Sequence, residues 1–239
     1  MAGYISFGPD MPNMGEHFVL PERAVSRELD FSKPSVLCYL KIGGKHVLTG
    51  VAYTYPVVQG ETPPDLPFDE MSWHYHSGNL QMEAYGITNH PESDNHDPEV
   101  RLAMLHAWIW SYNPDGVFTG DHWGLSFERS GLLPPPKIDP DASRALFMTH
   151  QGIQYYSRFM KLAIEPDPET YKELQSTLKT HTIKVEDLVS TLRKKQQISS
   201  KDQEVLKQIW LDMWADIQKQ VTEKEWFIIS ANLAHIHDH

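Results

Sequence analysis

The chain has 239 residues, enough for one large domain or two small ones and for a sizeable core without cross-links. Its formal charge of -11 argues against nucleic acid as a partner, because phosphate binding needs clustered Lys and Arg to release counterions. The single cysteine, Cys38, excludes an internal disulfide, which fits a reducing compartment.

The charge is uneven: residues 1 to 140 carry 18 of the 32 acidic side chains but only 8 of the 21 basic ones, together with 8 of the 13 histidines. Such a composition suits a cation-binding region and equally a solvated acidic surface. The opening residues, Met1 to Pro9, lack the basic and apolar regions of a signal peptide, and no run approaches the length of a membrane span. The expectation is a soluble cytoplasmic protein with no membrane partner.

Along the first half, Pro and Gly punctuate short apolar runs. His17 follows a turn-like Met11-Pro-Asn13, with Glu16 beside it, and is a candidate metal ligand. Ser35 to Ile42 and His46 to Tyr55, joined through Gly43-Gly44, read as a β-hairpin. Cys38 lies in the first of these strands among Val36, Leu37, Tyr39 and Leu40, where it reads as a small buried hydrophobe. A proline-rich loop from Pro56 to Pro67 leads to a strand over Met71 to His76. A polar loop from Thr88 to Pro98, with His90 and His96 expected to be exposed, precedes a strand over Leu102 to Trp110. Asn113-Pro-Asp-Gly116 is a turn, and Gly124 to Phe127 suits a further strand.

Beyond Leu132-Leu-Pro-Pro-Pro136 the texture becomes helical. Asp139-Pro140 and Asp167-Pro168 each pair an N-cap with a first-turn proline, while Ser200 with Gln203 and Thr222 with Glu225 match the capping box. Leu206, Trp210, Met213, Trp214, Ile217 and Val221 form a stripe at helical spacing and are expected in a core. His150, between Leu146 and Ile153, sits on the apolar side of the first long helix and reads as a core histidine.

The chemistry concentrates between Trp73 and Trp123. On a strand, alternate side chains share a face, so His74 and His76 project together, and His106 lies on a neighbouring apolar strand with Trp108 and Trp110. Three neutral imidazoles facing one cavity suit Fe(II), Cu, Zn, Ni or Co, and an open position would make the site catalytic. Glu83 is placed to be a fourth ligand, an orienter of a ligand, or a general acid or base. His122 and His17 are further candidates to complete the site. Against each stands the ordinary alternative of a hydrogen-bonded core histidine or an exposed glutamate. The chain has no glycine-rich phosphate loop, no G-x-S-x-G elbow and no H-E-x-x-H helix.

His74-Tyr75-His76, Glu83 seven residues later, and Pro114-Asp115-Gly116 followed by His122 resemble the metal motif of the cupin family, which implies a β-cavity holding three histidines. The run from His106 to Phe118 also looks like a segment of bacterial proteins of unknown activity, and that likeness implies no chemistry.

The sequence thus predicts an α+β protein, with a β-rich metal-bearing part over 1–137 and a helical part over 138–239 packed on it. The leading expectation is a mononuclear non-haem oxidoreductase holding iron or copper, with zinc as the alternative ion, and acting on a small organic substrate within an aromatic-lined cavity. A non-redox lyase, isomerase or hydrolase and a non-catalytic metal- or small-molecule-binding protein are the competing classes, and a homo-oligomer is compatible with each.

Overall fold

The computed structural model describes residues 3–58, 61–76, 100–164, 167–195 and 197–237. The protein is α+β, and its chain divides into two compact units: Met1–Pro9 with Met14–His122 in the first, Asp10–Asn13 with Trp123–Asp238 in the second. The division falls after His122 rather than near residue 137. The residues just beyond it are not a strand but a short helix, Leu125–Arg129, whose Leu125 and Phe127 are fully buried.

The first unit is built on a six-stranded sheet, the last two residues of whose first strand, Asp10 and Met11, count with the second unit. Its strands are β1 (Ile5–Met11), β2 (Gly15–Val19), β3 (Val36–Ile42), β4 (Lys45–Val58), β5 (His74–His76) and β6 (Val100–Trp108), in the spatial order β1-β2-β3-β4-β6-β5. The pairs from β2 through β5 are antiparallel. β3 and β4 are the expected hairpin: Gly43 and Gly44 both take positive φ, at 56° and 79°, as a two-residue turn matched to strand twist requires. A short helix, α1 (Pro21–Ala24), follows β2.

The hairpin ladder is interrupted at one place. Cys38 opposes Gly50 and Tyr39 opposes Leu48, so Thr49 is an extra residue on β4. The fully buried Thr49 donates its hydroxyl to the Cys38 carbonyl at 3.1 Å, and its own carbonyl accepts from the amides of Ile109 and Trp110 at 2.9 and 3.2 Å. A bulge of this kind re-aims neighbouring side chains. Here the neighbour is Cys38.

The second unit is helical. After α2 (Leu125–Arg129) come α3 (Pro140–Phe147), a π-helical turn over Met148–Gly152, α4 (Ile153–Ile164), α5 (Pro168–Leu192), α6 (Ser200–Gln218) and α7 (Glu223–His237). Asp139 and Asp167 cap α3 and α5 as their sequences predict, accepting backbone N–H groups of the first turn. The capping box of α6 is Ser199 with Asp202, one residue earlier than Ser200 with Gln203, because Ser199 holds the extended backbone an N-cap needs. Gln203 instead accepts from the Asp139 amide at 2.8 Å and donates to the Lys137 carbonyl at 3.0 Å, tying α6 to the start of α3. Leu206, Trp210, Met213, Trp214 and Ile217 are buried in one core with Phe147, Tyr156, Leu178 and Val185. His150 is exposed within the π turn, with Nε2 3.3 Å from the Ser130 hydroxyl, so it is not a core histidine.

Candidate metal centre

Strand register brings the donors together. His17 on β2 opposes Cys38 on β3, Cys38 opposes Gly50 on β4, and Gly50 opposes Trp108 on β6. One step along, Ala52 opposes His106. Directly opposed residues share a face of the sheet, so β4 presents a glycine and an alanine between two strands carrying larger groups. The Trp108 indole takes the space over Gly50, and His17 from β2, Cys38 from β3 and His106 from β6 converge on the same face.

His17, Cys38 and His106 each offer one ligand atom, and these atoms lie within 4.8 Å of one another. All three residues are buried, at 5%, 0% and 0% exposure. The Nδ1 of His17 is buried and has no hydrogen-bond partner among the described residues, as a metal-ligand nitrogen awaiting its ion would. Burial holds the His17 imidazole neutral, its pKa lowered to about 4, the state in which it can donate a lone pair to a metal. Burial also pushes the Cys38 thiol well above its usual range. An ion binding there must displace the thiol proton, as thiolate ligands require.

Around this group the rings stack. His106 lies parallel to Trp108, with centroids 5.3 Å apart and planes at 3°, and parallel to His74, at 5.0 Å and 10°. The His17 ring meets His106 edge-on at 6.0 Å. His74 faces Met104 across the β5–β6 ladder and is half-buried; it stacks on His106 and is not one of the three grouped donors. His76 occupies a register position opposite Leu102, and its side chain lies outside the described residues, as do Glu83, His90 and His96.

His122 is fully buried one ring further on, edge-to-face with Trp108 at 5.4 Å, with Nε2 2.9 Å from the Ser111 hydroxyl. Its pKa is lowered to about 4, chiefly by burial. The loop that carries Ser111 is fixed by Asn113, whose side-chain amide donates to the Thr119 hydroxyl and the Asp121 carbonyl at 2.9 and 2.7 Å.

Two of the three converging donors, His17 and His106, are among the sequence candidates. Cys38 is not: its burial is as expected, but an apolar strand context gives no sign of histidines on the flanking strands. Pairing register does not reveal it either: a hairpin closing at Gly43-Gly44 would set Thr49 opposite Cys38, and the extra residue on β4 sets Gly50 there instead.

The donor set of two imidazoles and one thiol fits a transition-metal ion of intermediate or soft character. No protein-family model matches the chain, and no curated protein or solved structure matches it either.

Proposed function

We propose that this chain is a mononuclear transition-metal protein whose ion is held by His17, His106 and the Cys38 thiolate, and that it is itself an oxidoreductase, with copper as the favoured metal. The observation that carries the reading is the convergence of these three buried donor atoms within 4.8 Å. An ion bonded at about 2.0 to 2.3 Å needs donors roughly 3.5 Å apart, so His17 and Cys38 would close on His106 by up to about an ångström as it binds. Thiolate sulfur favours Cu or Zn over Fe(II). Half-buried His74, beside His106, marks the edge from which a small organic substrate would approach.

Elemental analysis of protein purified without a metal-affinity tag tests this directly. About one copper per chain, with an absorption band from sulfur-to-copper charge transfer that disappears in Cys38→Ser, is the expected result. No metal above trace, in protein that also fails to take up added copper or zinc, overturns it. A second reading is favoured by the near-complete burial of all three donors, which suits a closed structural site: a zinc ion stapling β2, β3 and β6 together. Stoichiometric zinc, with no colour and a large loss of thermal stability on chelation, selects that reading.

A further inference from the structure

Resting on the metal centre just proposed, we infer that Trp108 is its positioning residue, and that Gly50 is a glycine because the indole must lie on it. A glycine inside a central strand weakens it, and it often marks a place where something approaches the backbone closely. Here something does. A Cβ added at Gly50 would stand 2.7 Å from Cε3 and 3.1 Å from Cζ3 of Trp108, so any larger residue would lift the ring.

The indole is fixed at its other edges too. Its Nε1 donates to the Thr119 carbonyl at 2.9 Å, and the backbone amide of Trp108 donates to the Val117 carbonyl at 2.9 Å. The ring is 3% exposed and lies parallel to His106 within 3°. Gly50 is also the residue opposite Cys38. Trp108 thus rests on the backbone beside one proposed ligand while its face sets the ring plane of another. A ligand imidazole can turn about its side-chain bonds, and an aromatic plate held at Gly50 and at the Thr119 carbonyl restricts that turning before the ion arrives.

The test uses the full chain with cobalt(II) as the probe, because its visible d–d bands report ligand geometry and its ultraviolet band reports the Cys38 thiolate. Trp108→Leu, which removes the plate and leaves every ligand, is expected to weaken cobalt(II) binding about 10- to 100-fold and to shift the d–d bands. Trp108→Phe keeps a flat ring and is expected to restore the wild-type bands. Gly50→Ala, which retains the indole but displaces it, is expected to shift them as Trp108→Leu does. Folded Trp108→Leu with wild-type affinity and bands overturns the inference; if that variant does not fold, unchanged bands in Gly50→Ala do so. Failure of the wild-type chain to bind cobalt(II), zinc(II) or copper is a different outcome, which removes the metal centre itself and the inference with it.

Discussion

At the scale of single residues the centre turns on which atoms are ligands and which only neighbours. His17→Ala, Cys38→Ala and His106→Ala are each expected to remove most bound metal, since each deletes a coordination bond. His74→Ala is expected to keep it, because that ring stacks on His106 without joining the grouped donors. Metal content per chain, by elemental analysis of folded variants, decides. Loss of metal in His74→Ala would move His74 into the coordination sphere, where the cupin-like pattern puts it. His122 leads to a separate expectation about pH. Its folded pKa is about 4 and its unfolded value about 6.5, so between those values the unfolded chain binds the extra proton. Stability is therefore lost as pH falls from about 6.5 toward 4, by up to about 3 kcal/mol for this group. Denaturation midpoints measured at pH 7 and pH 4.5 should differ less in His122→Gln than in the parent, and an identical pH dependence in both would show that the shift is not expressed. Only part of this was legible in the sequence. His17 and His106 carry chemistry that an apolar setting makes conspicuous, whereas Cys38 in such a setting looks like any small hydrophobe until its cross-strand neighbours are known.

At the scale of elements, local signals identify most of the structure, and the exceptions have physical causes. The β3–β4 hairpin follows from two glycines free to take positive φ, and the starts of α3 and α5 follow from Asp-Pro pairs. Leu125 to Phe127 is helical although the stretch suits a strand: Leu125 and Phe127 are both fully buried, and a short apolar run does not by itself distinguish a strand from a buried helical turn. The bulge at Thr49 was not legible, because an extra strand residue leaves no mark on composition or alternation over so short a run. For α6 the box of Ser199 and Asp202 is reciprocal: the serine hydroxyl accepts from the Asp202 amide at 3.2 Å, and the carboxylate accepts from the Ser199 amide at 3.0 Å. Ser199→Ala is expected to destabilise by about 1 kcal/mol, while Ser200→Ala is expected to change little. A urea midpoint that falls in the second variant and holds in the first would return the cap to Ser200.

At the scale of the whole molecule, the order of the chain is not the order of its units. Asp10 to Asn13 sits between stretches of the sheet unit yet counts with the helical one, where a buried ion pair joins Asp10 to Arg129 across 119 residues of sequence. Asp10 accepts two hydrogen bonds from the Arg129 guanidinium, at 2.6 and 2.7 Å, with both side chains 3% exposed. The guanidinium also lies over the Phe147 ring at 5.3 Å, and the nearby Ser126 hydroxyl donates to the Pro12 carbonyl at 2.9 Å. No sequence pattern announces such a contact. Removing one partner leaves the other charge buried without its counterion, at a cost of about 3 to 5 kcal/mol, whereas removing both leaves no uncompensated charge. Asp10→Ala should therefore lower the thermal midpoint of the helical unit, followed by far-ultraviolet circular dichroism at 222 nm, even though the substituted residue lies near the chain's start. Asp10→Ala combined with Arg129→Met should recover most of that loss, because the methionine packs in the guanidinium's place. A double variant no more stable than Asp10→Ala alone would mean that the aspartate holds the segment by its backbone and volume, and that the ion pair is not what joins Asp10 to the helices.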